Sequence, residues 1–452
     1  MPKSMQITAA NVDPALLELP WDIPLEEWPE DVLAALPRGI SRHVVRFVNL
    51  SGRVIAVKEI GESVAYHEYE MLRDLSRMEA PSVQPTAVVT GRRNAQGDEL
   101  NAVLVTEHLE FSLPYRALFS RKIAAETVGR LLDALAVLLV RLHLLGFYWG
   151  DVSLSNTLFR RDAGSYSAYL VDAETGDLQT KLTYGQRNYD VDLARTNIIG
   201  ELMDLQAGGF LPDDEDPIEV GNRIQERYNQ LWEELTGAEL IDADEHWRVQ
   251  ERIDRLAALG FSVGELTMTS APEGDRLIIQ PKVVDAGHYH RQIMRLTGMD
   301  VEELQARRML EDIETYRAVN GMWRQSLEHV ARAWTNDVYE HVIDAIPPEL
   351  SGKLEPAQVF HEILEHRWYL GQQRQSDVPL DEVIADYLEN VMPTKRDEAV
   401  LLSGPADEVL AGYDDMSSRF DDEEEDEDEE ALDEEDLDVA PTSNDSSTPF
   451  DR

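Results

Sequence analysis

The most informative segment of the sequence is Gly150-Asp151-Val152-Ser153-Leu154-Ser155-Asn156, which is followed by Val171-Asp172-Ala173-Glu174. Four residues separate the first Asp from the Asn, and the second Asp ends an apolar run. Carboxylate and amide oxygens in this order are typical of a site that holds a divalent cation against phosphate groups. Such a site also needs a Lys to neutralise phosphate charge and a carboxylate to orient the attacking hydroxyl.

The composition excludes several classes of protein. The 452 residues include no Cys, which excludes disulfides, thiolate metal sites and cysteine nucleophiles. The net charge is −47, and 17 of the 25 residues from 414 to 438 are acidic, yet the body of the chain is acidic without them. No basic tract is present to neutralise nucleic-acid phosphates. We therefore expect neither nucleic acid nor an anionic membrane surface as a partner.

The sequence predicts a cytoplasmic protein without a membrane span. The first residues carry no apolar segment behind their charge, so they do not form a signal peptide. The most apolar run, 131–147, is interrupted by Asp133, Arg141 and His143, and it is too short and too charged to cross a bilayer.

The N-terminal part predicts a small sheet with one helix across it. A Pro-containing lead-in over residues 1–35 precedes a hairpin of 43–50 and 53–60, joined by a Gly-containing turn. A helix over 63–78 and two further strands follow.

After Pro114 the apolar period becomes helical, and the long helix it predicts ends at the key loop. From about residue 240 the chain is mostly helical, and past 396 it loses apolar periodicity. The fold class is therefore α+β. The predicted domains are a lead-in and first lobe (1–110), a second lobe (111–239), a mostly helical domain (240–395) and a disordered acidic tail (396–452).

Lys58 is the candidate phosphate ligand. Strand alternation puts it on one face with Ala56, whose small side chain leaves room for a flat base. Glu68 falls on the apolar face of the following helix, where an unpaired carboxylate is costly, so Lys58 is its natural partner. The plainer alternatives are that Lys58 points to water and that Asp151, like other loop Asp residues, only forms a turn.

Together these residues resemble the protein-kinase-like superfamily, nearest to its bacterial lipopolysaccharide (Kdo) kinase-like branch. The whole chain also resembles a bacterial family of unknown function with a kinase-like front half and a helical rear half. The resemblance to kinases covers about residues 36–236 and implies a two-lobed protein-kinase-like fold.

The resemblance also implies roles for single residues. Ala56, Lys58, Glu68, Glu107 and Leu109 would bind ATP, the last two through a hinge of backbone groups. The remaining roles are catalysis by Asp151, Mg²⁺ binding by Asn156 and Asp172, and bracing of the catalytic loop by Asp192.

Three departures from the family pattern shape the functional hypothesis. No Gly-rich lid precedes Lys58, Gly150 replaces the Arg beside the catalytic Asp, and Ser153 replaces a Lys that contacts the γ-phosphate. Phosphorylation of a small-molecule, glycan or lipid-linked hydroxyl is therefore favoured over protein phosphorylation. The alternative is a pseudokinase or nucleotide-binding interaction module. The acidic tail is interpreted as a solubilising segment, a docking segment for a basic protein, or an autoinhibitory phosphate mimic.

Overall fold

An antiparallel five-stranded sheet forms the first lobe of the protein. The computed structural model describes residues 4–9, 13–34, 43–119, 125–211, 215–242, 245, 247–258, 260–270 and 276–399. The strands are β1 (Gln6–Ala9), β2 (Val44–Leu50), β3 (Arg53–Ile60), β4 (Pro85–Thr90) and β5 (Ala102–Glu107), in the order β1-β4-β5-β3-β2. Helix α1 (Glu62–Arg77) lies between β3 and β4 in the chain.

The two faces of this sheet are covered by different segments. Helix α1 packs its buried face, including Tyr69 and Leu72, against one side. The lead-in covers the other side with Leu16, Trp21, Leu25 and Trp28, which are buried against residues of β2 to β5. The lead-in therefore completes the core of the first lobe, which explains why an irregular segment carries so many large apolar residues.

The second lobe is built around one long helix. Its helices are α2 (Tyr115–Phe119), α3 (Ala125–Leu144), α4 (Tyr184–Ala207) and α5 (Pro217–Thr236). Its strands are β6 (Leu113–Pro114), β7 (Phe147–Tyr148), β8 (Thr157–Asp162), β9 (Ser165–Leu170) and β10 (Asp177–Leu178). The leucine stripe of α3 is buried, as the helical period predicts, and it anchors the lobe's core.

The rear part of the chain is mostly helical. A three-stranded sheet in the order β11-β13-β12 contains β11 (Glu239–Asp242), β12 (Phe261–Ser270) and β13 (Arg276–Ala286). The helices are α6 (Trp247–Ala258), α7 (His288–Thr297), α8 (Glu303–Val319), α9 (Leu327–Trp334), α10 (Glu340–Ile343), α11 (Pro356–Arg374) and α12 (Leu380–Asn390). Helices α7 to α12 enclose a separate apolar core. The predicted α+β class, with a sheet lobe followed by helical parts, is confirmed. The four-residue strands β1 and β11 and the two-residue strands β6, β7 and β10 were not predicted.

Charged side chains at the end of β8 fasten the rear part to the second lobe. Arg160 Nη1 lies 3.0 Å from Glu302 Oε1, and Arg161 Nη2 lies 2.7 Å from Glu398 Oε1. The carboxylate of Asp162 accepts a 2.8 Å hydrogen bond from the backbone N–H of Gln305. The described residues of the lobes and the rear part lie within one compact unit. The domain bounds themselves remain predictions.

The acidic tail lies almost wholly outside the described residues, which end at Ala399. Arg396 donates to the backbone oxygen of Ala117, and Glu398 pairs with Arg161, so the described chain continues past the predicted boundary at 395. None of the helices in the ranges given above has both the length and the apolar character needed to cross a bilayer.

Truncating a lead-in tryptophan tests the packing of that segment on the sheet. We expect Trp21→Ala to lower the free energy of unfolding by about 3–5 kcal/mol, because it empties a buried site beside Trp28. Leu17→Ala, in the same segment but 66% exposed, should change it by less than about 0.5 kcal/mol. Urea unfolding measures both, and equal losses would contradict this packing.

Candidate active site

A cleft of about 760 Å³ opens between the sheet lobe and the second lobe. Seven residues predicted for the site line it: Ala56, Lys58, Glu107, Leu109, Asp151, Asn156 and Asp172. The eighth, Glu68, is buried behind Lys58. The fold therefore gathers residues that are more than a hundred positions apart in the sequence into one cavity.

The roof of the cleft follows from the register of the β2–β3 hairpin. Val45 pairs with Lys58 and Phe47 pairs with Ala56, so these four side chains share one face and line the cleft. Leu158 and Val171 line the cleft from the second lobe. The result is an apolar slot that ends at a charged group, a shape suited to a flat base with attached phosphates.

Lys58 is held by three carboxylates at the inner end of the slot. Its Nζ lies 2.6 Å from Asp172 Oδ2, 3.2 Å from Glu68 Oε2 and 3.3 Å from Glu174 Oε2. The predicted contact between Lys58 and Glu68 is present. Glu174 was not assigned to the site, although it stands two positions after Asp172 in the sequence.

Burial and charge set the protonation of this cluster. Burial acts to lower the pKa of Lys58, but the carboxylates of Glu68, Asp172 and Glu174 together raise it well above its usual value. Burial, together with the charge of Asp172, raises the pKa of Glu68 to about 8, because the attraction of Lys58 is the smaller effect. The ammonium is therefore charged at all physiological pH values.

The loop that carries Asp151 is held by hydrogen bonds of its own residues. Asn156 Nδ2 donates to Asp151 Oδ2 and to the Asp151 backbone oxygen, each at 3.0 Å. The backbone N–H of Asn156 donates to Ser153 Oγ at 3.1 Å. Both side-chain contacts of Asn156 use its Nδ2, so its Oδ1 is the atom left to bind a cation.

Asp190 on α4 supports the start of the loop. Its carboxylate accepts hydrogen bonds from the backbone N–H groups of Trp149 and Gly150, both at 2.8 Å, and it lies 3.1 Å from His143 Nε2. Gly150 has a φ of +79°, and a Cβ there would lie 3.1 Å from the backbone oxygen of Thr175. A side chain at position 150 would therefore be strained, which accounts for glycine where the family pattern has Arg.

The assignment of the brace to Asp192 is wrong. Its side chain contacts Asn188 and Gln225, both in exposed contacts. Two positions along a helix turn a side chain by about 200°, so Asp190 and Asp192 point to opposite faces of α4. The sequence pattern predicted the correct turn of α4, but it assigned the brace to the acidic residue on the outward face.

Two more residues of α4 hold the loop and were missed in the sequence. The Glu201 carboxylate accepts hydrogen bonds from Leu154 N at 2.9 Å, from Ser155 N at 2.8 Å and from Ser155 Oγ at 2.5 Å. Asn197 Nδ2 donates to the Val152 oxygen at 3.0 Å. Asp190, Asn197 and Glu201 recur at helical spacing, a signal that marks one face of α4 but not what that face contacts.

The predicted hinge, which includes Glu107 and Leu109, offers one backbone N–H donor to a ligand. Glu107 N donates to the Gln84 oxygen at 2.8 Å, and His108 N donates to the Val54 oxygen at 3.0 Å. Leu109 lines the cleft, and its N–H has no acceptor among the residues that the structure describes. Residues 37–41, which include Gly39 and are the sequence's only candidate for a lid ahead of Lys58, lie outside the described residues.

The donor set fits a magnesium ion. Asp172 and Asn156 both line the cleft, where they offer a carboxylate oxygen and an amide oxygen, and hard cations prefer such ligands. Oxygens of Glu68, Asp172 and Glu174 lie within 4.8 Å of one another. Asp172 and Asn156 could hold the cation beside the phosphates that Lys58 would contact, with the carboxylates of Glu68 and Glu174 close to it.

Two segments of the chain match known protein families. Residues 50–199 match the lipopolysaccharide kinase (Kdo/WaaP) family, and residues 230–392 match a domain of unknown function (DUF4032). One segment thus matches the Kdo/WaaP family and a second matches DUF4032, which confirms the predicted resemblance.

A solved structure titled "WaaP in complex with acyl carrier protein" is 16% identical to this chain, with a TM-score of 0.34. The match covers 56% of this chain and 99% of the chain in that structure. No curated protein matches the sequence.

Removing the brace tests its assignment to Asp190. We expect Asp190→Asn to lower the free energy of unfolding by about 1–3 kcal/mol and to speed amide hydrogen exchange at Trp149 and Gly150, because two backbone N–H groups, one buried and one partly buried, lose a charged acceptor. Asp192→Asn is the matched control on the same helix and should leave both quantities unchanged. The assignment fails if the two variants behave alike.

Proposed function

We propose that the chain is an ATP- and Mg²⁺-dependent phosphotransferase that acts on a small-molecule, glycan or lipid-linked hydroxyl. The observation that carries the proposal is the 2.6 Å contact between Lys58 of the sheet lobe and Asp172 of the second lobe, in a cleft that Asp151 and Asn156 also line. A cationic phosphate ligand, a cation-binding carboxylate and a candidate base thus meet in one cavity. The match to a kinase family supports nucleotide use.

The slot supports binding of the nucleotide base. Val45, Ala56 and Leu158 offer apolar surface, and the N–H of Leu109 can donate a hydrogen bond to an acceptor atom of the base. Lys58 lies deeper in the same cavity, where the α- and β-phosphates of a base-bound nucleotide would reach it. The predicted contributions of Glu107 and Leu109 are through their backbone groups, since the Glu107 side chain pairs with Arg53.

In the proposed reaction, Asp151 orients the acceptor hydroxyl and receives its proton. The hydroxyl oxygen forms a bond to the γ-phosphorus while the bond from that phosphorus to the ADP oxygen breaks. Asn156 fixes the Asp151 carboxylate through its 3.0 Å hydrogen bond, and Asn156 Oδ1 and Asp172 would hold the cation. Magnesium, when bound, would neutralise charge on the phosphates.

The loop chemistry supports a non-protein acceptor. Gly150 offers no cation to read a phosphorylated activation loop, and Ser153 Oγ accepts a hydrogen bond from the backbone of Asn156. The name of the matching family points to a lipid-linked sugar as one acceptor class. A cytoplasmic location and a basic protein partner for the acidic tail are further proposals.

A second candidate function is nucleotide binding without transfer. It is favoured by Ser153, which places no cation near the γ-phosphate, and by the three carboxylates that already occupy Lys58. In that case the protein would act as a nucleotide-dependent interaction module. Turnover by the wild type separates the two candidates.

Two substitutions test the proposed transferase. ATP with Mg²⁺ should raise the thermal unfolding temperature of the wild type, and Asp172→Ala should abolish that shift. Asp151→Asn should keep the shift but lower ATP consumption in a cell-metabolite extract by about 10²–10⁴-fold, because the base is lost. Asp192→Asn is the matched control and should retain full consumption.

Two results would contradict the proposal. Without any thermal shift in the wild type, the nucleotide site would be refuted. A shift combined with equal ATP consumption by wild type and Asp151→Asn would favour the non-transferring module.

A further inference from the structure

The ammonium of Lys58 has no N–H left for a phosphate. It carries three donors, and the three carboxylates of Glu68, Asp172 and Glu174 lie within 3.3 Å of its nitrogen. A phosphate oxygen of a nucleotide can therefore accept a hydrogen bond from Lys58 only if one of these carboxylates gives up its contact with the ammonium. This inference rests on the proposed function, because it concerns how the same site admits a nucleotide.

The three carboxylates differ in how readily each could give up its contact with Lys58. The Glu68 side chain is 1% exposed and fixed on the inward face of α1, so releasing Lys58 would leave a buried carboxyl group without its cationic partner. The side chains of Asp172 and Glu174 are 20% and 11% exposed. Glu174 Oε2 also lies 3.1 Å from His43 Nε2, so it keeps a partner when it releases Lys58.

Glu174 is also the carboxylate to which the proposed reaction gives no task. Asp172 serves cation binding, and Glu68 orients Lys58. Glu174 adds a negative charge beside the position of the phosphates and occupies a donor they need. Without a cation, both effects oppose nucleotide binding.

We propose that Glu174 is a positioning residue that makes nucleotide binding depend on a divalent cation. In the cation-free protein, Glu174 holds Lys58 and repels the phosphates. When a cation neutralises the carboxylates, Glu174 stays with His43 and Lys58 turns to the phosphates. The site then accepts the metal–nucleotide complex and discriminates against free nucleotide.

Binding of a fluorescent ATP derivative, N-methylanthraniloyl-ATP, to the full chain tests this role. In EDTA, Glu174→Gln should bind it at least about threefold more tightly than the wild type, because one negative charge facing the phosphates is removed. The ratio of the dissociation constant in EDTA to that in Mg²⁺ should fall by at least the same factor. A residue that only supported the fold would weaken binding in both conditions.

Matched variants separate this role from a general effect of negative charge in the cleft. Glu174→Ala removes the contact with Lys58 as well as the charge and should shift the EDTA affinity in the same direction. Asp204→Asn removes a negative charge from the same cleft at an exposed position and should leave the ratio unchanged. Thermal unfolding without nucleotide checks that each variant is folded.

Several outcomes would overturn the inference. Unchanged or weaker binding by Glu174→Gln in EDTA, or an equal effect of Asp204→Asn, contradicts it while the proposed function stands. If no binding is measurable in EDTA for either Glu174 variant, the inference fails too. Absence of wild-type binding even with Mg²⁺ refutes the proposed function and the inference together.

Discussion

The ion pair between Lys58 and Asp172 is the interaction on which the site depends. It joins a strand of the sheet lobe to the segment that leaves the core of the second lobe, and Glu68 supports it from α1. A buried ammonium is stable only when carboxylates surround it, and three carboxylates contact Lys58. The cleft is the space left between lobes that meet at this contact.

Helix α4 provides the second constraint, because its side chains hold the loop that carries Asp151. Asp190, Asn197 and Glu201 use one helix face to satisfy backbone groups between Trp149 and Ser155. The strand that follows Asn156 is in turn fastened at its far end to the rear part of the chain through Arg160 and Arg161. The helical rear part thus supports the segment that carries a predicted cation ligand.

Local patterns were sufficient to predict much of this arrangement. Alternation placed Lys58 and Ala56 on one strand face, and the helical period turned Glu68 inward, because both patterns reflect side-chain directions fixed by the backbone. Asp190 could not be chosen over Asp192 without knowing which face of α4 meets the loop. Glu201 contacts loop residues that are distant in the sequence, and Glu174 lies in a turn. Periodicity carries no information about either kind of contact. Strand β11 is only four residues long, too short for its pattern to stand out.

An experimental structure of the full chain with Mg²⁺ and a non-hydrolysable ATP analogue would test the proposed site most directly. We expect the base in the slot beside Ala56 and Leu109, a phosphate oxygen on Lys58 Nζ, and the cation on Asp172 and Asn156. A nucleotide bound elsewhere, or one whose phosphates do not reach Lys58, would contradict it.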